Sequence, residues 1–327
     1  MTPRSSPLAS VLAVVAGLVM ATAYFTPVWW VSLTAPNYPV DRFPDGIRIH
    51  FGFEGVSNGC TTAAKTSRVA QETQQEDLGW RSDEEKPAPE KKSAESGGAL
   101  DCVHEMNTIN HYVGMRPIGV GAPVERNLSR YILGMFGVMI LGFALRNRRA
   151  RVVTLGAGFG VVAAWMVVDQ FVRGRLAAVV TEYTEEAGKY FREAEKITAW
   201  GETLHTVAVA VVLVLIALMA FMVFAAWRWH GFQLALGIVP ALLPLFFVAA
   251  YAAWLWFFGH TMHPWGAFTL KPFMPTVFGD GMVAQFSTHS YPHYGFGLLA
   301  LSSVLLLVAV ARRRLELMDE PAAPVAG

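Results

Sequence analysis

Histidine and methionine are the residues of this chain best able to do chemistry, and they are unevenly placed. His104, Met106, His111 and Met115 fall in one short stretch; His260, Met262 and His263 form a second; His289 and His293 follow. Imidazole nitrogen and thioether sulfur suit copper, and the soft thioether favours Cu(I). His111 and Met115 share one face if their stretch is helical. A plainer reading stands beside this one: Met fills gaps in cores, and most polar residues of the chain lie in the same loops. The sequence holds no HExxH, CxxC or CxxCH motif, so it signals no zinc hydrolase, thiol redox pair or attached haem. It also lacks a GxxxxGK[ST] nucleotide loop. No catalytic constellation is visible.

Cys60 and Cys102 are the two cysteines of the chain. In an oxidising compartment they would bridge the base of the polar segment between them. The alternative is that one or both thiols bind metal.

The elements that must position these residues are membrane helices. Of the 327 residues, 54% are apolar and 16% charged, against about 25% charged in soluble domains. A net charge of +1 leaves no basic footprint for nucleic acid. A bilayer core needs about 20 apolar helical residues. Six stretches meet or approach this: 8–31, 128–145, 152–172, 204–226, 232–258 and 294–311. Arg146, Arg148, Arg149, Arg151, Arg228 and Arg312 to Arg314 then share one side with Arg4. Basic loops stay cytoplasmic, which puts both termini and the 312–327 tail inside. The segments 32–127, 173–203 and 259–293 are extracytoplasmic. Ala21-Thr22-Ala23 also resembles a signal-peptidase site, whose use would remove the first helix.

The expected fold is therefore an all-α membrane protein of about six transmembrane helices. A small mixed extracytoplasmic domain (32–127) lies between the first two. Within it Ile47 to Phe51 alternates like a strand, and 61–100 reads as a disordered polar insertion. The acidic, Lys- and Arg-bearing stretch 173–203 reads as an amphipathic surface helix. Asp169, near the outer end of the third span, reads either as a proton or ion site or as a snorkelling pair with Arg173 at the interface. Gly156-Ala157-Gly158 reads as close helix packing.

Two blocks of sequence resemble a known family. The first is Leu33-Thr34-Ala35-Pro36-Asn37-Tyr38-Pro39 with Glu105-Met106-Asn107-Thr108-Ile109-Asn110-His111-Tyr112-Val113-Gly114-Met115. The second runs from Gly259-His260 through Phe273-Met274-Pro275-Thr276-Val277-Phe278-Gly279 to Ser290-Tyr291-Pro292. They resemble a poorly characterised family of bacterial multi-pass membrane proteins, often encoded beside nitrous oxide reductase maturation genes. The resemblance implies a periplasm-facing accessory or assembly factor of the inner membrane that serves a copper enzyme. It puts Asn110, His111, Tyr112, Gly114 and Met115, with His260 and Met274, at stake. The insertion 61–100 and the helix 173–203 depart from the pattern.

Three functions follow as expectations. One is an accessory protein for an extracytoplasmic copper enzyme, handling copper through His and Met. Another is a membrane redox component holding haem or quinone. The third is a cofactor-free scaffold in which Asn110 to Met115 seats the outer domain. The expected partners are the lipid bilayer and an extracytoplasmic protein, with neither nucleic acid nor nucleotide.

Overall fold

A computed structural model describes residues 7–40, 43–60, 100–264, 266–267, 270–283 and 285–318. Apart from Leu100, the polar 61–100 stretch lies outside the described residues. Among those described, five helices are long and apolar enough to cross a membrane. With the antiparallel sheet described below, they make this a multi-pass membrane protein.

The first helix, α1 (Leu8–Tyr24), is 17 residues long, about two turns short of the expected 8–31 span. Pro27 stops it, because a proline disfavours helical backbone in the residue before it. The aromatic and β-branched run after Pro27 becomes strand β1 (Trp29–Thr34) instead. One face of α1 is alanine: Ala9, Ala13, Ala16 and Ala23 are wholly buried. Such small residues let the backbone of the last helix, α9 (Tyr294–Met318), come close. Ser302 Oγ accordingly donates to Ala16 O at 2.8 Å.

After β1 come β2 (Ile47–Gly52) and β3 (Gly55–Asn58). Helix α2 (Cys102–Tyr112) follows, its first turn capped by the Asp101 carboxylate. A 3-10 turn (Ile118–Val120) leads into α3 (Pro123–Ala144) and then α4 (Arg148–Val167). A π-helical turn (Val168–Val172) ends this span. A Cβ on Gly142 would meet Leu155, and one on Gly158 would meet Val138, so both glycines serve close packing of α3 on α4.

The expected helix 173–203 divides at Phe191 into the amphipathic α5 (Arg175–Tyr190) and the start of α6 (Ala194–Arg228). The expected span 232–258 is also divided, into α7 (Ala235–Ala241) and α8 (Leu243–His260). The cause is Pro244, which has no N–H to continue the helical ladder.

The mixed domain is not confined to 32–127. Two further strands, β4 (Gly279–Val283) and β5 (Phe286–Pro292), come from the loop before α9. They join an antiparallel sheet of order β3-β2-β1-β5-β4. The bundle thus has a sheet end and an arginine end. At the latter, Arg151 donates to the α3 carbonyls of Gly142 and Leu145 at 3.3 and 3.0 Å. These are helix-end acceptors with no partner inside α3. Buried Arg313 reaches Ser10 Oγ at 2.9 Å.

Cys60 and Cys102 form a disulfide between the strip after β3 and the start of α2. Replacing both with serine is expected to cost about 4 kcal/mol by loop-closure entropy. A lowered melting temperature in detergent, equal to that of the reduced wild type, checks this.

Candidate functional site

The Asn110 to Met115 stretch is the joint between α2 and the helices. Gly114 has φ +80°, a left-handed backbone that glycine adopts without strain. That turn lets Met115 N–H donate to Asn110 O at 2.7 Å. It also aims Gly114 O at His263 N–H (2.6 Å) and Tyr112 O at Ala267 N–H (2.7 Å). The two blocks carrying the family resemblance therefore meet through backbone. Asn107, which the sequence reading passed over, ties the same joint to α3. Its buried Oδ1 accepts from Ile118 N–H at 2.8 Å and Gly119 N–H at 3.1 Å.

The candidate ligands disperse around this joint. Met106 is buried against Leu33, Ile47 and Ile49, and Met115 is also buried. His104 is exposed on α2. His111 sits beside Tyr112, Tyr190 and Phe191, its buried Nδ1 without a hydrogen-bond partner. His263 packs on Phe191, and its Nε2 lies 3.3 Å from Glu193. His260 stacks on Trp256, its Nδ1 2.8 Å from the Trp256 carbonyl. Met262 is half-buried, whereas Tyr112 and Met274 are exposed. Among the described residues no three His, Cys, Asp or Glu side chains converge on one point. The loops carrying the two groups of His and Met meet through backbone hydrogen bonds at Gly114–His263 and Tyr112–Ala267.

His50 and His289 lie on the sheet, and His293 directly follows β5. Strand alternation gives it two unlike faces. One carries Leu33, Ile47 and Ile49 against α2, and Trp29 against Tyr251 of α8. The opposite face carries Trp30, Arg48, His50, His289 and Tyr291 in register. These side chains engage one another. The Arg48 guanidinium lies 4.6 Å over the Trp30 ring, and Trp30 pairs with Tyr291 at 5.4 Å. His289 Nδ1 is 2.6 Å from Asp280. His289 and Tyr291 together hold the Asp280 carboxyl below the usual range.

His50 and His293 pair their rings at 5.0 Å. His293 Nδ1 accepts from Tyr294 N–H at 2.9 Å, so in the neutral ring the proton sits on Nε2. Burial lowers the pKa of both rings. The neighbouring His293 and then Arg48 add to the effect at His50, and Arg48 adds to it at His293.

Asp169 lies at the π-turn, among buried polar partners. Tyr131 OH donates to it at 2.5 Å, while Arg173 and Arg130 stand at 3.7 and 4.0 Å. Gln170 and Asn127 complete the network with paired amide bonds of 2.7 and 3.2 Å. Every member is engaged with another, as a buried polar group requires.

Comparison with family models, with curated proteins and with solved structures finds no match to this chain.

Two outcomes are expected. Gly114→Ala forces a side chain into left-handed backbone and against the His263 carbonyl, at a cost of about 1–3 kcal/mol. Thermal melting in detergent reads this directly. Both histidine pKa values are depressed in the folded state, so the unfolded chain takes up protons more readily. The associated stability is whole above about 6.5 and is lost as pH falls through the lower folded values. Melting temperature should therefore drop on acidification below about 6.5, and His50→Gln should make that slope shallower.

Proposed function

We propose that this protein is an accessory subunit of the bacterial cytoplasmic membrane that docks an extracytoplasmic protein on the Trp30 face of its sheet. The contrast between the two sheet faces carries this reading. One is consumed in packing, while the other offers Trp30, Tyr291 and Arg48 as a preformed cluster. Trp, Tyr and Arg are the residue types that dominate binding hot spots. The orientation rests on the arginines at the opposite end of the bundle, since short basic loops stay cytoplasmic. Both termini are then cytoplasmic, and α1 completes six crossings. Asn110 to Met115 acts as the seat that fixes the sheet on the helices.

The family resemblance makes a copper enzyme under maturation the expected partner. A second reading, copper handover, is favoured by one observation. The Asp280 carboxylate holds His289 as carboxylates orient metal-bound histidines, and His289 lies on the same sheet face as Trp30. The partner would then supply the remaining ligands.

Native electrophoresis of gently solubilised membranes tests the docking role. Wild type should migrate as a larger complex, and the double variant Trp30→Ala/Tyr291→Ala should migrate alone. Truncating hot spots costs about 2 kcal/mol or more each. A variant that still assembles fully would sink this reading. Metal analysis of the complex distinguishes handover, where copper should fall in His289→Gln while the complex persists.

A further inference from the structure

A cavity of about 360 Å³ lies beneath the β2–β3 hairpin, between α1, α3 and α8. Both α3 and α8 belong to membrane-crossing candidates, yet they do not pack closely on each other. Across the gap Trp254 Nε1 donates to Glu125 Oε1 at 3.0 Å. Aromatic rings line much of the wall, among them Phe53, Phe136, Phe247 and Phe258. Phe246 lines the cavity and is also 49% exposed, so the gap opens sideways toward lipid.

The two ends differ in chemistry. Toward α1 and the middle of the span the lining is Met20, Ile132, Leu133 and Phe136. Toward the sheet are Arg126, Ser129 and Tyr24. Tyr24 OH and Ser129 Oγ satisfy each other at 2.9 Å. Arg126 donates from NH1 to Glu182 at 3.2 Å. Its NH2 is just as close to the second Glu182 oxygen, but it is buried and out of line for a hydrogen bond. A guanidinium carries five N–H donors, and an acceptor oxygen brought into the cavity that Arg126 lines would engage one that Glu182 does not.

We propose that this cavity binds a single-chain membrane amphiphile. Its apolar chain lies among the aromatic walls, and its acceptor-oxygen head meets Arg126. The walls are too apolar to be a favourable site for water, and a lateral opening admits molecules dissolved in the bilayer. The volume sits at the low end for small-molecule sites, enough for one chain or one ring but not for a two-chain lipid. Because a chain gains little by leaving lipid for an apolar pocket, selection falls to the head group, and so to Arg126. The head could be the phosphate of a one-chain lipid or the carbonyl of a quinone.

The test uses the full chain in detergent and follows Trp254 emission, taken as wild type minus Trp254→Phe. Two quenchers are titrated separately: a single-chain phosphatidylglycerol brominated on its chain, and a benzoquinone bearing a decyl chain. Saturable quenching by the brominated lipid identifies a phosphate head, and by the quinone a carbonyl head. In either case Arg126→Gln should shift the midpoint about tenfold, the loss expected of one charge-assisted hydrogen bond. Ala250→Phe, which fills the cavity, should abolish saturation. Absence of saturation with both quenchers, or quenching unchanged in Ala250→Phe, overturns the proposal. If Ala250→Phe does not fold, equal midpoints in wild type and Arg126→Gln overturn it.

Discussion

Three backbone hydrogen bonds meet at Pro27 and Val28. Val28 N–H donates to Phe51 O at 2.8 Å, His293 N–H to Val28 O at 2.9 Å, and Gly295 N–H to Pro27 O at 3.1 Å. At this point the first helix hands over to a strand, and the last strand hands over to the last helix. Gly295 opens α9, where its N–H has no partner within the helix, and Pro27 provides the acceptor. A side chain on Gly295 would strike that same carbonyl. Sheet and bundle are therefore joined through main chain, and every other contact at the sheet end inherits its geometry from this crossing. The orientation of Trp29 into the helices and of Trp30 away from them is set there by strand alternation.

The division of labour among the polar side chains follows. Residues that the joint needs, such as Asn107 and Gly114, spend their hydrogen-bonding or conformational capacity inside the protein. Met106 and Met115 are drawn into packing, where thioether flexibility fills irregular space. A further group, Trp30, Arg48, His50, His289 and Tyr291, lies on the far face of the sheet, away from the joint. Chemistry that looked concentrated along the sequence is thus partitioned in space between holding the fold and presenting a surface.

Legibility in the sequence was greatest where one period or one composition sufficed. Hydropathy located the long helices, and the alternation at Ile47 to Phe51 marked a strand. The fate of Val28 to Val31 was not legible locally, because a short apolar run fits a helix end and a buried strand equally well. Only its pairing with β5 decides, and that partner lies far along the chain. The break before Leu243 was signalled by Pro240 and Pro244, which total apolarity outweighed in the span reading. His289 and Asp280 could not be connected from spacing alone, since cross-strand neighbours depend on register. Nor could hydropathy anticipate the gap between α3 and α8, which is a property of how helices sit together.

The pairing of β1 with β5 also dictates an order of assembly. Trp29 Nε1 reaches Ser290 Oγ at 2.9 Å over a sequence separation of 261, and such distant pairings form late because the loop between them must first be closed. During synthesis β1 is made with the first helix, while its central partner emerges only just before the last. Until then one long edge of β1 is unpaired, and such an edge readily templates pairing with another chain. Completion of the sheet thus reports that the whole polypeptide has been threaded, so a truncated or misinserted chain differs visibly from a finished one at the sheet end.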